Sequence, residues 1–496
     1  MGSLCGGDSN GRPEEKWCAV TGARGFMARH LVAALLRSGE WHVRLTDLAP
    51  VVKLGPGENE ALLADALRDG RAVYASVDVR NLDQLIEAFE GVDVVFHTAA
   101  ADPSKNNLQL HYEVNVEGTK NVVEACMTCK VKRLIYTSSS AVVFDGDHGL
   151  LNANESLPYP KKFPDAYAQT KAEAEKLVMK ANGINDLLTC CIRPSSIFGP
   201  GDIMIPVLDR CRKIHFILGD GKNLDDFVYV ENVVHGHLCA DKTLSTMDGA
   251  TTCGGKAYFI TNMEPMNMWD FTSMLHEELG HKRLFKIRIP LLVIKPICYL
   301  VEWSYNILQH YGMRQPQLLT STRIKYITLN RTFSCNRAAK ELGYTPIVTL
   351  MDGLKLAAKS YIRLRNNIEE KTEASSSSRP PRTQGNSNSS PAAPPLSASP
   401  PHLQLRRDAS GAPALRLLGA PLPRSSAPAR CLLPGVPSRR NASASSLVLR
   451  LNLHRLLPSA TRPSRVRHHA DASHPLPSPP RPPLRHSDAV AAARTR

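Results

Sequence analysis

Apolar residues fall in short runs separated by longer stretches of helical periodicity. Lys16–Thr21, Trp41–Leu45, Ala72–Val77, Val92–His97, Arg133–Tyr136 and Leu187–Ile192 are brief and rich in Val, Ile and Leu. Between them His30–Leu36, Leu82–Phe89, Val114–Cys126 and Tyr167–Ala181 repeat apolar residues at helical spacing. Short, mainly apolar runs alternating with helices predict a parallel sheet covered on both faces. The expected fold is therefore α/β, a doubly wound Rossmann-type sheet. Beyond residue 200 the pattern loosens into shorter pieces (Phe227–Val230, Ala257–Ile260, Met268–Leu279, Asn336–Leu342, Met351–Arg365), which predicts a smaller C-terminal substrate lobe. The expected boundaries are a flexible N-terminus at 1–15, the sheet domain at 16–200, the smaller lobe at 201–370 and a disordered tail at 371–496.

The tail follows from composition. Residues 372–496 contain no Lys and no aromatic residue but hold eighteen Arg and twenty-one of the chain's 36 Pro. Too few large apolar groups remain to offset the entropy of ordering such a segment. It also carries almost all of the formal net charge of +15, because the preceding residues hold 43 basic and 42 acidic side chains. The catalytic part is near neutral, so charge gives no reason to expect nucleic acid as a partner. Eleven of the twelve cysteines precede residue 372 without the spacing of a disulfide framework, and Met1–Glu15 lacks an apolar signal region. A reducing compartment is expected. Cys126 and Cys129 form a CxxC with no second ligand pair nearby and read as buried thiols, so no metal is expected. The run Ile289–Trp303 is apolar but interrupted by Pro290, Lys295, Pro296 and Glu302, which argues against a membrane-spanning helix and leaves an interfacial helix or an ordinary lobe helix.

The chemistry begins at the first strand, which runs into Thr21-Gly22-Ala-Arg24-Gly25-Phe26-Met27-Ala28. Glycine at 22 and 25 lets a dinucleotide diphosphate approach the backbone at a helix N-terminus, and Ala28 fills the third small position. Asp47, at the end of the second strand, is placed to accept from the adenosine ribose hydroxyls and to repel a 2′-phosphate, favouring NAD over NADP. Asp78 and Val79 follow the third strand, where a carboxylate suits the adenine amino group. Thr98, Ala99 and Ala100 end the fourth strand with small residues that suit a chain passing beneath the nicotinamide half.

Tyr136-Thr-Ser138-Ser139-Ser140-Ala-Val-Val-Phe144 and Tyr167-Ala-Gln-Thr-Lys171 complete the set. Hydride transfer from an alcohol needs a base for the hydroxyl proton, and a free tyrosine with a pKa near 10 is a poor one at neutral pH. Lysine four residues later shares its helical face and lowers that pKa. A serine just past a strand can orient the substrate oxygen.

Together with Val114-Asn115-Val-Glu-Gly-Thr119, Arg193-Pro194-Ser-Ser-Ile-Phe-Gly-Pro200-Gly and Asp226-Phe-Val-Tyr-Val-Glu231-Asn232, these motifs resemble extended short-chain dehydrogenases/reductases, and within them the 3β-hydroxysteroid dehydrogenase family. The similarity covers roughly residues 16–365 and is greatest to the plant sterol-4α-carboxylate 3-dehydrogenase (decarboxylating) group. The resemblance implies NAD held by Gly22, Arg24, Gly25, Phe26, Met27, Asp47, Asp78, Val79, Thr98–Ala100, Lys171 and Pro194, with Ser140 orienting the substrate and Tyr167 as acid/base. Ser140 is preferred to its neighbours because it directly precedes Ala-Val-Val. The implied reaction is oxidation of a 3β-hydroxysterol to the 3-ketone, with decarboxylation of a 4α-carboxysterol. The implied setting is the cytoplasmic face of the endoplasmic reticulum or the cytoplasm, with peripheral membrane contact through 284–303 and a homodimer as expected associations. A nucleotide-sugar epimerase or flavonoid-type reductase on the same fold, and a nonenzymatic NAD-binding membrane-interaction protein, are the alternatives.

Overall fold

The computed structural model describes residues 15–52, 59–210, 215–281, 286–308, 310 and 319–377, all within the unit Met1–Ser387. Of the expected flexible segment 1–15 and tail 371–496, residues 1–14 and 378–496 lie outside the described residues. The helix Leu350–Ser377 carries the fold past the composition break at Lys371.

The central sheet is built from β1 (Trp17–Thr21), β2 (His42–Asp47), β3 (Ala72–Ser76), β4 (Val94–His97), β5 (Arg133–Thr137), β6 (Leu188–Pro194) and β7 (Lys256–Ile260). Its order is β7-β6-β5-β4-β1-β2-β3, seven strands with every neighbouring pair parallel. Alternate side chains leave opposite faces of each strand. Val20, Leu45, Phe96, Ile135 and Ile192 enter one apolar core, whereas Ala19, Val95, Leu134, Tyr136 and Cys191 enter the other. Each fully buried side chain of this size contributes about 1.5–3 kcal/mol, which explains why the strands read as apolar without alternation. The sheet reverses direction of winding at β1, so the carboxyl ends of β1 and β4 form a crevice at the switch point.

The residues beyond 200 do more than build a separate lobe, because β7 returns to the main sheet and pairs with β6. A second, four-stranded sheet joins Met266–Asn267, Leu224–Asp225, Arg331–Phe333 and Leu150–Ala153. Lys286–Ile289 pairs in parallel with His215–Leu218. The interrupted apolar run forms one helix, Leu291–Leu308, with Pro296 inside it. By length and composition alone this helix is long and apolar enough to cross a membrane, although its prolines and charges point to an interfacial or lobe helix. Ile294 and Cys298 nevertheless pack on Ile324, so one stripe of the helix belongs to the fold.

Candidate active site

The turn after β1 is fixed by glycine for two reasons. Gly22 has φ +66°, and a Cβ there would lie 2.8 Å from the Ala99 Cα. The Gly25 N–H donates to the Gly22 carbonyl at 2.9 Å, closing the turn. Gly25 then N-caps the helix Phe26–Ser38 with no side-chain cap, and no acid occupies the first turn. That terminus thus carries no side-chain cap and no acid in its own first turn, as a diphosphate site requires. Asp47 Oδ2 accepts the Arg24 N–H at 3.0 Å, which places the carboxylate beside the same turn. Thr21 Oγ1 accepts the N–H groups of Thr98 and Ala99 at 3.2 Å each and meets His97 Nδ1 at 2.7 Å. His97 Nε2 meets Thr119 Oγ1 at 2.9 Å, and burial pushes the His97 pKa down to about 3, so the ring is a neutral strut.

Other expected cofactor residues are placed less directly. The Met27 side chain is buried in the core, and Phe26 packs partly into the same core, with its ring edge-on to His30 at 5.6 Å. Val79 is buried and packs against Gly118, where a Cβ would come within 2.8 Å of its Cγ2. Asp78 is gripped by Arg80, with 2.7 Å between Arg80 NH2 and Asp78 Oδ2, and this contact holds the carboxyl below its ordinary range. What stands at the end of β3 is therefore an ion pair. Ala100 is exposed, and Pro194 ends β6, paired with Ile260.

Tyr167 and Lys171 lie on one face of the helix Ala166–Lys180, whose N-cap Asp165 accepts the Ala168 N–H at 2.7 Å. Lys171 Nζ donates to the Thr137 carbonyl at 2.5 Å and stands 4.2 Å from the centre of the Tyr136 ring. Burial lowers the Lys171 pKa to about 7, against an opposing contribution from Glu175. Burial raises the Tyr167 phenol to about 12, and the hydroxyl that works against this rise is that of Ser139. Ser139 thus joins the expected Ser140 as a residue that could orient the substrate oxygen. Ser139 is the last extended residue and caps the short 3-10 turn Ser140–Val143, where Ser140 is carried into the buried turn.

The spacing-based reading missed the groups that support the lysine. Glu175, one turn after Lys171, accepts from Arg193 Nε at 2.9 Å, from Arg193 NH2 at 2.6 Å and from the Tyr159 hydroxyl at 2.6 Å. The pair is almost wholly buried. The glutamate four residues after Lys171 was a readable signal, since i and i+4 share a helix face. Asn115, quoted above only within a motif, accepts the Ala101 N–H at 2.8 Å and donates to Thr170 Oγ1 at 3.0 Å from a π-helical segment, Tyr112–Glu117. Such segments recur at functional sites.

On the substrate side Tyr326 packs 5.1 Å from Phe144 and lies under the Arg331 guanidinium at 5.0 Å. Arg331 is paired with Asp225 and donates to Ser196 Oγ at 3.0 Å. Ser138 Oγ, Ser195 Oγ, Asp226 Oδ1 and Arg331 Nε are buried without a hydrogen-bond partner among the described residues. Burial pushes Asp226 up to about 7. Among the described residues no group of three or more His, Cys, Asp or Glu side chains could hold a metal.

Residues 19–291 match the 3-beta hydroxysteroid dehydrogenase/isomerase family. The chain is 53% identical over 366 residues to 3beta-hydroxysteroid-dehydrogenase/decarboxylase isoform 1 of Arabidopsis thaliana, covering 72% of this chain and 82% of that protein. Against isoform 2 it is 52% identical over 73% of this chain but spans only 65% of the relative's length. It is 36% identical to the human sterol-4-alpha-carboxylate 3-dehydrogenase, decarboxylating, over 71% of this chain and 90% of that protein. Among solved structures, a UDP-glucuronic acid 4-epimerase from Bacillus cereus in complex with UDP-glucuronic acid and NAD superposes with a TM-score of 0.54, at 23% identity, over 70% of this chain and 99% of that one. A dTDP-glucose 4,6-dehydratase from Streptomyces venezuelae superposes with a TM-score of 0.53, at 20% identity, over 71% of this chain and 99% of that one. These two likenesses concern the fold alone.

Proposed function

This chain belongs to the 3-beta hydroxysteroid dehydrogenase/isomerase family, and from that premise we propose which of its residues carry out an NAD-dependent oxidation of a 3β-hydroxysterol to the 3-ketone. The observation that carries the reading is the convergence of Tyr167, Lys171 and Ser139 beside the crevice at the carboxyl ends of β1 and β4. The uncapped helix terminus at Gly25 holds the diphosphate of NAD, and Asp47 takes the adenosine ribose hydroxyls. The bound oxidised nicotinamide supplies a hydride acceptor and a positive charge. Tyr167, whose phenol is neutral at pH 7 in the chain alone, becomes the base under that charge together with Lys171. Its oxygen takes the 3-hydroxyl proton while the C3 hydrogen leaves with its electron pair. Ser139 donates to the same substrate oxygen and fixes its direction.

With a 4α-carboxysterol the product is a β-keto acid. Its C4–carboxylate bond breaks, carbon dioxide leaves, and the bonding pair passes to the new ketone as an enolate that a proton then quenches. No further residue is required for that step. The substrate is a membrane lipid, so the protein works peripherally at the cytoplasmic face of the endoplasmic reticulum. A homodimer belongs to the same reading and is checked by sedimentation.

The test is to mix the purified full chain with NAD and, separately, a 4α-carboxysterol, a plain 3β-hydroxysteroid and a UDP-sugar, following NADH. NADH forms with the first two, most rapidly with the carboxysterol. Turnover of the UDP-sugar alone would overturn the reading.

A further inference from the structure

His237 is fully buried in the helix Val230–Leu244. Its Nδ1 lies 2.8 Å from the Val233 carbonyl and its Nε2 2.8 Å from Thr137 Oγ1. A carbonyl can only accept, so Nδ1 carries the proton. Burial pushes the imidazole down to about 4, which leaves the ring neutral and gives Nε2 a lone pair. The Thr137 hydroxyl therefore donates to His237. We propose that His237 is a positioning residue for the reaction, and that it fixes, from the opposite face of the sheet, the Thr137 carbonyl on which the Lys171 ammonium rests.

The two helices involved lie on opposite faces of the central sheet. Val233 and Ala240 of the His237 helix pack into one core, whereas Ala174 and Val178 of the catalytic helix pack into the other. Thr137, the last residue of β5, is reached from both. Its hydroxyl is held by His237 on one face, and its carbonyl accepts from Lys171 Nζ at 2.5 Å on the other. Its strand partner is Ile192, whose carbonyl accepts the Ser138 N–H at 2.7 Å. The chain is thus gripped on three sides where it turns into Ser138–Ser140. Packing alone would be met by an apolar side chain, without the desolvation of an imidazole. An apolar side chain would supply no acceptor for the Thr137 hydroxyl.

The lysine depends on that carbonyl because its surroundings are mostly apolar. Lys171 is buried, and the groups that face it come from four elements. On its own helix stand Tyr167 and Glu175, the latter gripped by Arg193. The Tyr136 ring of β5 is 4.2 Å away, Cys191 lies on β6, and the neutral His97 lies on β4. An ammonium that loses a hydrogen-bond acceptor gives up its proton more readily. Displacing the Thr137 carbonyl therefore lowers the pH at which the cation beside Tyr167 disappears. The inference rests on the proposed function only in giving that cation its task.

The test reads the lysine without substrate, so its outcome is separate from that of the sterol assay. Urea unfolding of the full chain is followed over roughly pH 5 to 10 for the wild type, Thr137→Val and His237→Leu, each with and without Lys171→Met. The difference between each pair isolates the contribution of the lysine. In the wild type that contribution rises with pH from about 7. Both variants should lower its onset by about one pH unit. Thr137→Ser keeps a hydroxyl and His237→Gln keeps an acceptor, so each should restore the wild-type onset. Should His237→Leu not fold, Thr137→Val carries the test. With NAD and a 4α-carboxysterol, the alkaline limb of kcat should move down by the same amount. An unchanged onset in Thr137→Val, or a loss of stability equal at every pH, would overturn the proposal. A lowered onset without sterol turnover would uphold it and count against the sterol reading.

Discussion

The nucleotide side and the substrate side of this molecule are finished to different degrees. Around Gly22, the polar groups of Thr21, His97, Thr98, Ala99 and Thr119 satisfy one another within the chain. Around Arg331, by contrast, Ser195, Asp226 and Arg331 itself keep buried polar atoms unpaired among the described residues, and large apolar side chains remain exposed on Leu291–Leu308. A buried polar atom without a partner costs roughly 1–3 kcal/mol, so such atoms persist where a ligand or water completes them. The contrast teaches that the dinucleotide cradle is built before its ligand arrives, whereas the substrate lobe is completed by what it binds.

The sharpest break of this contrast is at the tyrosine. Tyr167→Phe should lower kcat by about a thousandfold with little change in NAD affinity, measured by NADH formation and by titration of NAD. Comparable loss of NAD affinity would show that the two sides are not separable. Next in size is Ser139→Ala, expected to cost on the order of a hundredfold in kcat/KM, while Ser140→Ala stays within a few-fold. The reverse order would restore the register assigned from spacing.

Glu175→Gln leaves the Arg193 guanidinium buried and uncompensated, which should destabilise the fold by about 3–5 kcal/mol in urea unfolding. Lys171 offers a pH test. Its folded pKa of about 7 lies below the ordinary 10.5, so between those values the unfolded chain binds more protons than the folded one. Ligand-free stability should therefore rise with pH across that window, by at most about 1.4 kcal/mol per unit, and Lys171→Met should remove that rise. A smaller effect is expected at the adenosine end. Asp47→Ser should raise KM for NAD roughly tenfold and narrow the preference over NADP.

How much of this was legible in the chain depended on sequence distance. The glycine turn, Asp47 at the end of β2 and the Tyr167–Lys171 spacing are local patterns, and each lies where its spacing placed it. Three adjacent serines do not reveal where the 3-10 turn begins, and the structure puts Ser139 at its N-cap and Ser140 inside it. Arg193 and Glu175 are brought together only when β6 packs against the catalytic helix, so neither announces its partner. Asp78 was readable as an acid but not as one already gripped by Arg80. The apolar run 289–303 read as interrupted at Pro290, Lys295, Pro296 and Glu302, and the helix Leu291–Leu308 continues through the last three.

The central claim is that Tyr167 takes the proton from a sterol 3-hydroxyl beside a preformed NAD cradle. Its most direct test is the stoichiometry of NADH and carbon dioxide released from a 4α-carboxysterol by the wild type and by Tyr167→Phe. The account predicts one carbon dioxide for each NADH in the wild type, and both products formed about a thousandfold more slowly by the variant. NADH formation by the variant at the wild-type rate would contradict it.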